Sequence, residues 1–261
     1  MTDNHSRTVA IIQARMSSSR LPGKVLQEIA GKPMLAHVIN RVRRAKTVDE
    51  VVVATTTDPS DDAIELFCQL NGTGCFRGSQ FDVLDRYYQC AKNFQAENIV
   101  RITADCPIID PDVIDLTVNE FLKRKVDFAA NRLPPPWHRT YPIGLDTEVC
   151  SFAALESAWK DAKLKHEREH VMPYLYAEEG RFKVIQVDTM PDYGSMRWTV
   201  DTPEDLVLIR RIFDAFNGRE DFSWQEVLQL VQQRPDLMEI NAGIVHKVFD
   251  EIDHRTRSTK E

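Results

Sequence analysis

The chain has 261 residues, enough for one large domain or one domain with a small appendage, and enough to bury a core without disulfides or metal staples. Its 33 Lys+Arg against 40 Asp+Glu give a formal charge of −7, which argues against a nucleic-acid binder, whose footprint is basic. No run approaches the roughly 18 apolar residues of a membrane span, and the polar start lacks the apolar stretch of a signal peptide. The five cysteines are widely spaced with no C-x-x-C, which predicts reduced thiols in a cytoplasmic protein.

Val9-Ala10-Ile11-Ile12 is a compact apolar run, as expected of a strand buried on both faces. A serine-rich polar loop follows, and Pro33 then opens an amphipathic helix to about Arg44. Residues 50–54 read as a second strand, and Ser60 as the cap of a helix that Asn71-Gly72 ends. A short strand near Cys75-Phe76, a helix over 82–94, a third apolar strand over 99–103 and a helix from Pro111 complete a β-α-β-α rhythm. That rhythm predicts an α/β doubly wound, mainly parallel sheet, with ligands beyond the carboxyl ends of the strands.

The second half is less regular. Leu133-Pro134-Pro135-Pro136-Trp137 is a stiff insertion. Residues 145–149, 182–187 and 197–200 read as strands, 152–164 and 168–179 as helices, and Thr202-Pro203-Glu204-Asp205 as the cap of another helix. Beyond Asn217 come two modest helices and a charged tail. The domain reading is therefore 1–216, with an inserted segment over about 133–195, and a helical appendage over 217–261.

The loop after the first strand, from Gln13 and Ala14 to Lys24, carries Arg15, Arg20, Lys24 and three successive serines, without an acid. Guanidinium forks, hydroxyls and backbone amides suit phosphate oxygens. The spacing is not that of a Walker A loop, and a merely solvated basic loop is the bland alternative. Asp105 and Asp201 each follow a β-rich run, so the pair suits one Mg²⁺, although either also suits a helix cap. His166-Glu167-Arg168-Glu169-His170 matches H-E-x-x-H by letter. With no third ligand in sight, it reads as a polar helix face, with His166 exposed, rather than a zinc site. Asp82 stands at the spacing to pair with Arg86. Asp146 and Glu148, at i and i+2, share one strand face and need partners or a metal unless that strand is at the surface. Trp159 and Phe152 read as core.

Several segments together resemble a known family. Residues 12–15 with Leu21-Pro22-Gly23-Lys24 resemble the amino-terminal signature of the cytidylyltransferases that activate acylneuraminate and 3-deoxy-manno-octulosonate (Kdo). Val200-Asp201-Thr202-Pro203-Glu204-Asp205-Leu206 resembles the closing motif of the Kdo enzymes. Arg77-Gly78-Ser79, residues 82–87, 101–107, 144–149 and 168–171 resemble the branch named for spore coat polysaccharide synthesis. The likeness spans about residues 8–215. It implies a GT-A-like, Rossmann-like nucleotidyltransferase with a mixed sheet. It also implies CTP as cosubstrate, Mg²⁺, a sugar acid as acceptor, and a CMP-sugar and pyrophosphate as products, commonly in a homodimer.

By matching motif, Arg15, Arg20 and Lys24 would hold the triphosphate, with Gln13, Ala14, Arg77 and Thr103 near the nucleoside. Asp105 and Asp201 would hold the metal, and Arg15, Lys24 and Asp105 would carry the chemistry. Tyr141, Asp146, Glu148, Glu169, His170 and Arg197 would form the sugar-recognition set. Where Kdo enzymes have Gly-Asp-Glu-Pro this chain has Ala104-Asp105-Cys106-Pro107, without the second acid, which argues against Kdo itself. A glycosyltransferase or sugar-1-phosphate nucleotidyltransferase on the same architecture, or a non-catalytic nucleotide-binding protein, are the alternatives.

Overall fold

The computed structural model describes residues 6–134 and 136–244. Its centre is a seven-stranded sheet. The strands are β1 (Thr8–Gln13), β4 (Glu50–Thr56), β5 (Gly74–Gly78), β6 (Asn98–Thr103), β7 (Phe128–Ala130), β8 (Glu148–Ser151) and β9 (Val184–Gln186), in spatial order β5-β4-β1-β6-β8-β7-β9. β2 (Glu28–Ile29) and β3 (Lys32–Pro33) form a separate small hairpin. All neighbours in the large sheet run parallel except at β8, which pairs antiparallel with both β6 and β7.

The three apolar runs fold as strands because both faces of the sheet are covered. Ala10, Ile12, Val53, Val100 and Ile102 face one apolar layer, and Val9, Ile11, Val52, Ala54 and Ile99 face the other. The first layer is closed by α1 (Met34–Val42), α2 (Asp62–Leu70), α4 (Pro111–Arg124) and α8 (Pro203–Ala215). The second is closed by α3 (Val83–Asn93), α5 (Phe152–Asp161), and the short α6 (Lys165–His170) and α7 (Pro173–Tyr176). Residues past 217 add α9 (Trp224–Gln233) and α10 (Pro235–Glu239), whose Trp224, Val227, Val231 and Leu237 lie in the first layer. The charged tail over 245–261 lies outside the described residues, as does Pro135. Among the described residues no helix is long and apolar enough to cross a membrane.

Several expectations need correcting. Residues 197–200 make no strand. A single parallel bridge links Ile143 to Arg197, because Gly144 presses backbone to backbone against Trp198, where an added Cβ would lie 2.7 Å from its carbonyl carbon. Strand β8 starts at Glu148, so Asp146 and Glu148 do not share a strand face, and Glu148 is buried rather than at the surface. The helix expected over 168–179 is two short ones, broken at Val171, where φ is +72°, ahead of Pro173. Asp58, not Ser60, caps the turn that leads into α2, and its carboxylate accepts from the Ser60 amide at 2.9 Å. Phe152 and Trp159 are only partly buried against the second layer, and Tyr88 stacks on both of them.

Candidate active site

The parallel register brings the ends of β1, β4 and β6 together: Gln13 lies beside both Ala54 and Thr103. The Ala14 amide donates to Ala54 O and the Ala104 amide to Gln13 O, so the loops after all three strands leave from one rim. The basic loop is braced from below. Asp61, almost wholly buried, accepts from the Met16 amide at 2.7 Å and also bonds the Thr56 hydroxyl and amide. Met16 O in turn accepts from the amides of Ser18 and Gly23. Gly23, at φ +69°, supplies the left-handed turn that swings Lys24 inward, a conformation glycine adopts without a Cβ penalty.

Lys24 is only 8% exposed. Its ammonium donates to Asp105 Oδ2 at 2.9 Å, Asp201 Oδ1 at 2.9 Å and Val200 O at 2.8 Å, which satisfies all three of its N–H bonds. Burial works against the charge, but the two carboxylates outweigh it and hold the ammonium above its ordinary range. The other oxygen of Asp201 takes Arg20 Nη2 at 3.0 Å and Arg197 Nη2 at 2.8 Å. Burial alone would raise the Asp201 carboxyl; Lys24, Arg197 and Arg20 overcome it and hold the acid far below the usual carboxylate range.

Behind Asp201 stands Asp205, fully buried. It grips Arg197 by two bonds of 3.0 Å and accepts from the amides of Asp201 and Thr202. The Asp205 amide returns a bond to the Thr202 hydroxyl, which completes the capping box of α8.

Thr103, Asp105, Asp146, Glu148 and Asp201, five of the residues singled out from the sequence, line one cavity of about 150 Å³. Arg101 and Arg132 line it too. The acids are already partnered: Glu148 by Arg101, and Asp146 by Arg139. Gln13 accepts a long bond, 3.5 Å, from Arg101. His170, half-buried, stands near Arg101 and Arg132. Burial first, and then those two charges, push its pKa down to about 4, so it is neutral at pH 7.

Other candidates sit elsewhere. Arg77 gives its guanidinium to Thr56 O and Asp58 O, both at 2.9 Å, and to Asp62 and Glu65 of α2. Tyr141 is in the core, 3% exposed and edge-on to Trp224. Glu169 is half-buried on α6. Asp82 does not pair with Arg86. It caps α3 and takes Arg168 instead, with Nε at 3.0 Å. Arg86 is fully buried and donates to Ser79 O, while its Nε and Nη2 meet no acceptor among the described residues. Burial, aided by nearby Arg15, lowers it to about 10.

In the H-E-x-x-H segment, Glu167 accepts from the amides of Lys163 and Leu164, both at 3.0 Å, and so serves as a cap. His166 is half-buried and lines a separate groove of about 750 Å³ with Trp137, Tyr176 and Phe182. Among the described residues no three His, Cys, Asp or Glu side chains gather to hold a metal.

Sequence reasoning missed Asp61, Asp205 as the brace of Asp201, and Arg132. Asp61 was hidden in an acidic run that reads as a helix start. No local pattern marks the other two.

A family model described as cytidylyltransferase matches residues 9–240. The chain belongs to the cytidylyltransferase family. It is thus an enzyme of the nucleotidyltransferase class. It is 30% identical over 233 residues to the spore coat polysaccharide biosynthesis protein SpsF of Bacillus subtilis, covering 87% of this chain and 94% of that one. To a 3-deoxy-manno-octulosonate cytidylyltransferase of Anaeromyxobacter it is 36% identical over 243 residues, covering 78% of this chain and 97% of the other. A solved cytidylyltransferase from Leptospira borgpetersenii superposes with a TM-score of 0.86 at 33% identity, over 93% of this chain and 100% of that one.

Proposed function

We propose that this cytidylyltransferase moves CMP from CTP to the hydroxyl of a 2-keto-3-deoxy sugar acid of nonulosonic type, for surface polysaccharide synthesis. The observation that carries the reading is Lys24 held between Asp105 and Asp201 where the basic loop meets the cavity. The acceptor hydroxyl attacks the α-phosphorus of CTP and loses its proton to solvent, a new P–O bond forms, and the bond to the bridging oxygen breaks as pyrophosphate leaves. Such a transfer asks for alignment and charge neutralisation more than covalent help.

Arg15, Arg20 and Lys24 hold the triphosphate, with the nucleoside over Ala14 and Thr103. Arg77 is committed to α2 and is left out of this set. Asp146 and Glu148 accept hydrogen bonds from the sugar hydroxyls, and the positive charges of Arg101 and Arg132 suit its carboxylate. Two carboxylates drawn to one cation are hard oxygen donors of the kind Mg²⁺ takes, so Asp105 and Asp201 fit that ion once Lys24 turns to phosphate. The metal, when bound, would supply charge neutralisation at the phosphates.

The test is pyrophosphate release with Mg²⁺ across CTP, UTP, ATP and GTP and a panel of sugar acids and sugar 1-phosphates. Release with CTP that depends on one sugar acid is expected. Release that depends on a sugar 1-phosphate instead would overturn the acceptor assignment.

A further inference from the structure

Asn241 lies just beyond α10, at the end of the carboxyl-terminal appendage, yet its amide is among the groups that surround Asp201. It is 4% exposed. Its Nδ2 donates to Asp205 Oδ1 at 2.9 Å and to the backbone carbonyl of Arg197 at 3.2 Å. Both partners lie one bond from Asp201: Asp205 holds the Asp201 amide, and Arg197 holds its carboxylate. The Asp205 carboxylate is held below its ordinary range, against burial, by Arg197 and then by Asn241 itself.

A buried amide costs free energy unless its hydrogen bonds are met, so an apolar side chain would serve better if this position only packed. The appendage that carries Asn241 is firmly fixed. Arg41 bonds the carbonyls of Glu220 at 2.9 Å and Phe222 at 2.8 Å, and the Trp224 amide donates to Asp110 at 2.8 Å.

We infer that Asn241 is a positioning residue for the Asp201 carboxylate, acting through Asp205 and Arg197, and that the appendage is therefore a working part of the active site. The inference rests on the proposed function, in which Asp201 faces the metal and the triphosphate. Asn241 fixes one oxygen of Asp205. That oxygen, Oδ1, also takes Arg197 Nε, while Oδ2 takes Arg197 Nη2 and the Asp201 amide, so the orientation Asn241 sets keeps Arg197 aimed at Asp201 opposite Lys24 and Arg20.

The experiment measures Mn²⁺ binding to the full chain in the presence of CTP, by the loss of the free-ion electron paramagnetic resonance signal, together with the melting temperature. Asn241→Asp keeps the size but sets a second carboxylate against Asp205. At pH 8 it should weaken Mn²⁺ binding about tenfold, the scale of one lost hydrogen bond to a charged group. Lowering the pH to 6 should recover part of that loss, because two close carboxyls share a proton that can then be donated to Asp205. Asn241→Ala should weaken binding several-fold with no recovery at pH 6. A role in packing alone predicts a lower melting temperature for both variants with no such difference in pH response.

Folded variants that bind Mn²⁺ with wild-type affinity at both pH values would overturn the inference. So would a loss in Asn241→Ala that follows its melting temperature, should Asn241→Asp not fold. Wild-type protein that takes up no Mn²⁺ with CTP would instead remove the proposed function on which the inference rests.

Discussion

Replacing Lys24 with Met isolates the ammonium from the aliphatic stem, because the stem's volume is nearly kept while the charge is lost. The two oxygens it bridges each lie 2.9 Å from the same nitrogen, so they are at most twice that, about 5.8 Å, apart. At an effective dielectric of about 20, two unit charges at that distance repel by about 3 kcal/mol. Asp201 keeps Arg20 and Arg197, but Asp105 has Lys24 as its one ion-pair partner among the described residues. The expected loss is therefore at least about 3 kcal/mol at pH 7.5, which for a chain of this size is roughly 6–12 °C or more in melting temperature.

The sign of the pH dependence follows from linkage. In the wild type the Lys24 ammonium is held above its ordinary range, so its contribution is complete below the unfolded value and is lost only as alkaline pH passes the folded one. It is therefore constant from pH 5 to 9. In Lys24→Met one of the facing carboxyls titrates higher than in the unfolded chain. The native state then binds more protons, and stability rises as pH falls from 7.5 towards 5. Thermal unfolding across that range is the assay. A variant as stable as wild type at pH 7.5, or one whose deficit is the same at pH 5, would refute the reasoning.

Two further outcomes are expected. Asp105→Asn should keep the melting temperature within a few degrees and cut turnover at saturating Mg²⁺ and CTP by roughly 10²-fold, the scale set by removing one preorganised charge; a folded variant with a near-normal rate would show that Asp105 is no metal ligand. Arg77→Ala should lower stability by about 2–4 kcal/mol in urea titration through the carbonyls and acids it leaves unpaired, and leave CTP affinity within about threefold, since its guanidinium is spent on Thr56, Asp58, Asp62 and Glu65. A large loss of CTP affinity without a loss of stability would reverse that assignment.

The parts of the fold that were legible in the sequence are those set by local patterning. Residues 9–12, 51–54 and 99–102 are nearly unbroken apolar runs, and only a strand covered on both faces buries such a run. Pro33, Pro111 and Thr202-Pro203 mark helix starts for reasons confined to one turn of chain: a missing N–H, a fixed φ, a hydroxyl acceptor. Residues 197–200 failed by the same logic. They are apolar enough for a strand, but what lies beside them is the backbone around Gly144 rather than a strand edge, and sequence spacing carries no trace of that neighbour.

Site residues divide along the same line. Thr103 and Asp105 were found because parallel strands send their carboxyl ends to one rim, so their place follows from topology; Asp201 reaches the same cavity although no strand precedes it. What each side chain does there depends on partners far away in the chain. Lys24 meets Asp201 across 177 positions, and Asn241 meets Asp205 across 36.

Glu167 shows the opposite case, a role set by its nearest neighbours in the chain. Its letters fit a zinc helix, but it lies at the third position of a short helix with unmet amides before it, and the nearest unmet donors claim a carboxylate first. Arg77 similarly gives its guanidinium to the carbonyls at the end of β4 and to the acids of α2. In each case a charged side chain went to the fixed partners its own fold placed within reach. The cations near the cavity with the fewest such partners therefore carry the most information about the ligand. Arg132 lines the cavity, and among the described residues no hydrogen bond or ion pair reaches it. An acceptor with a carboxylate would meet that charge, whereas a neutral sugar would leave it unanswered.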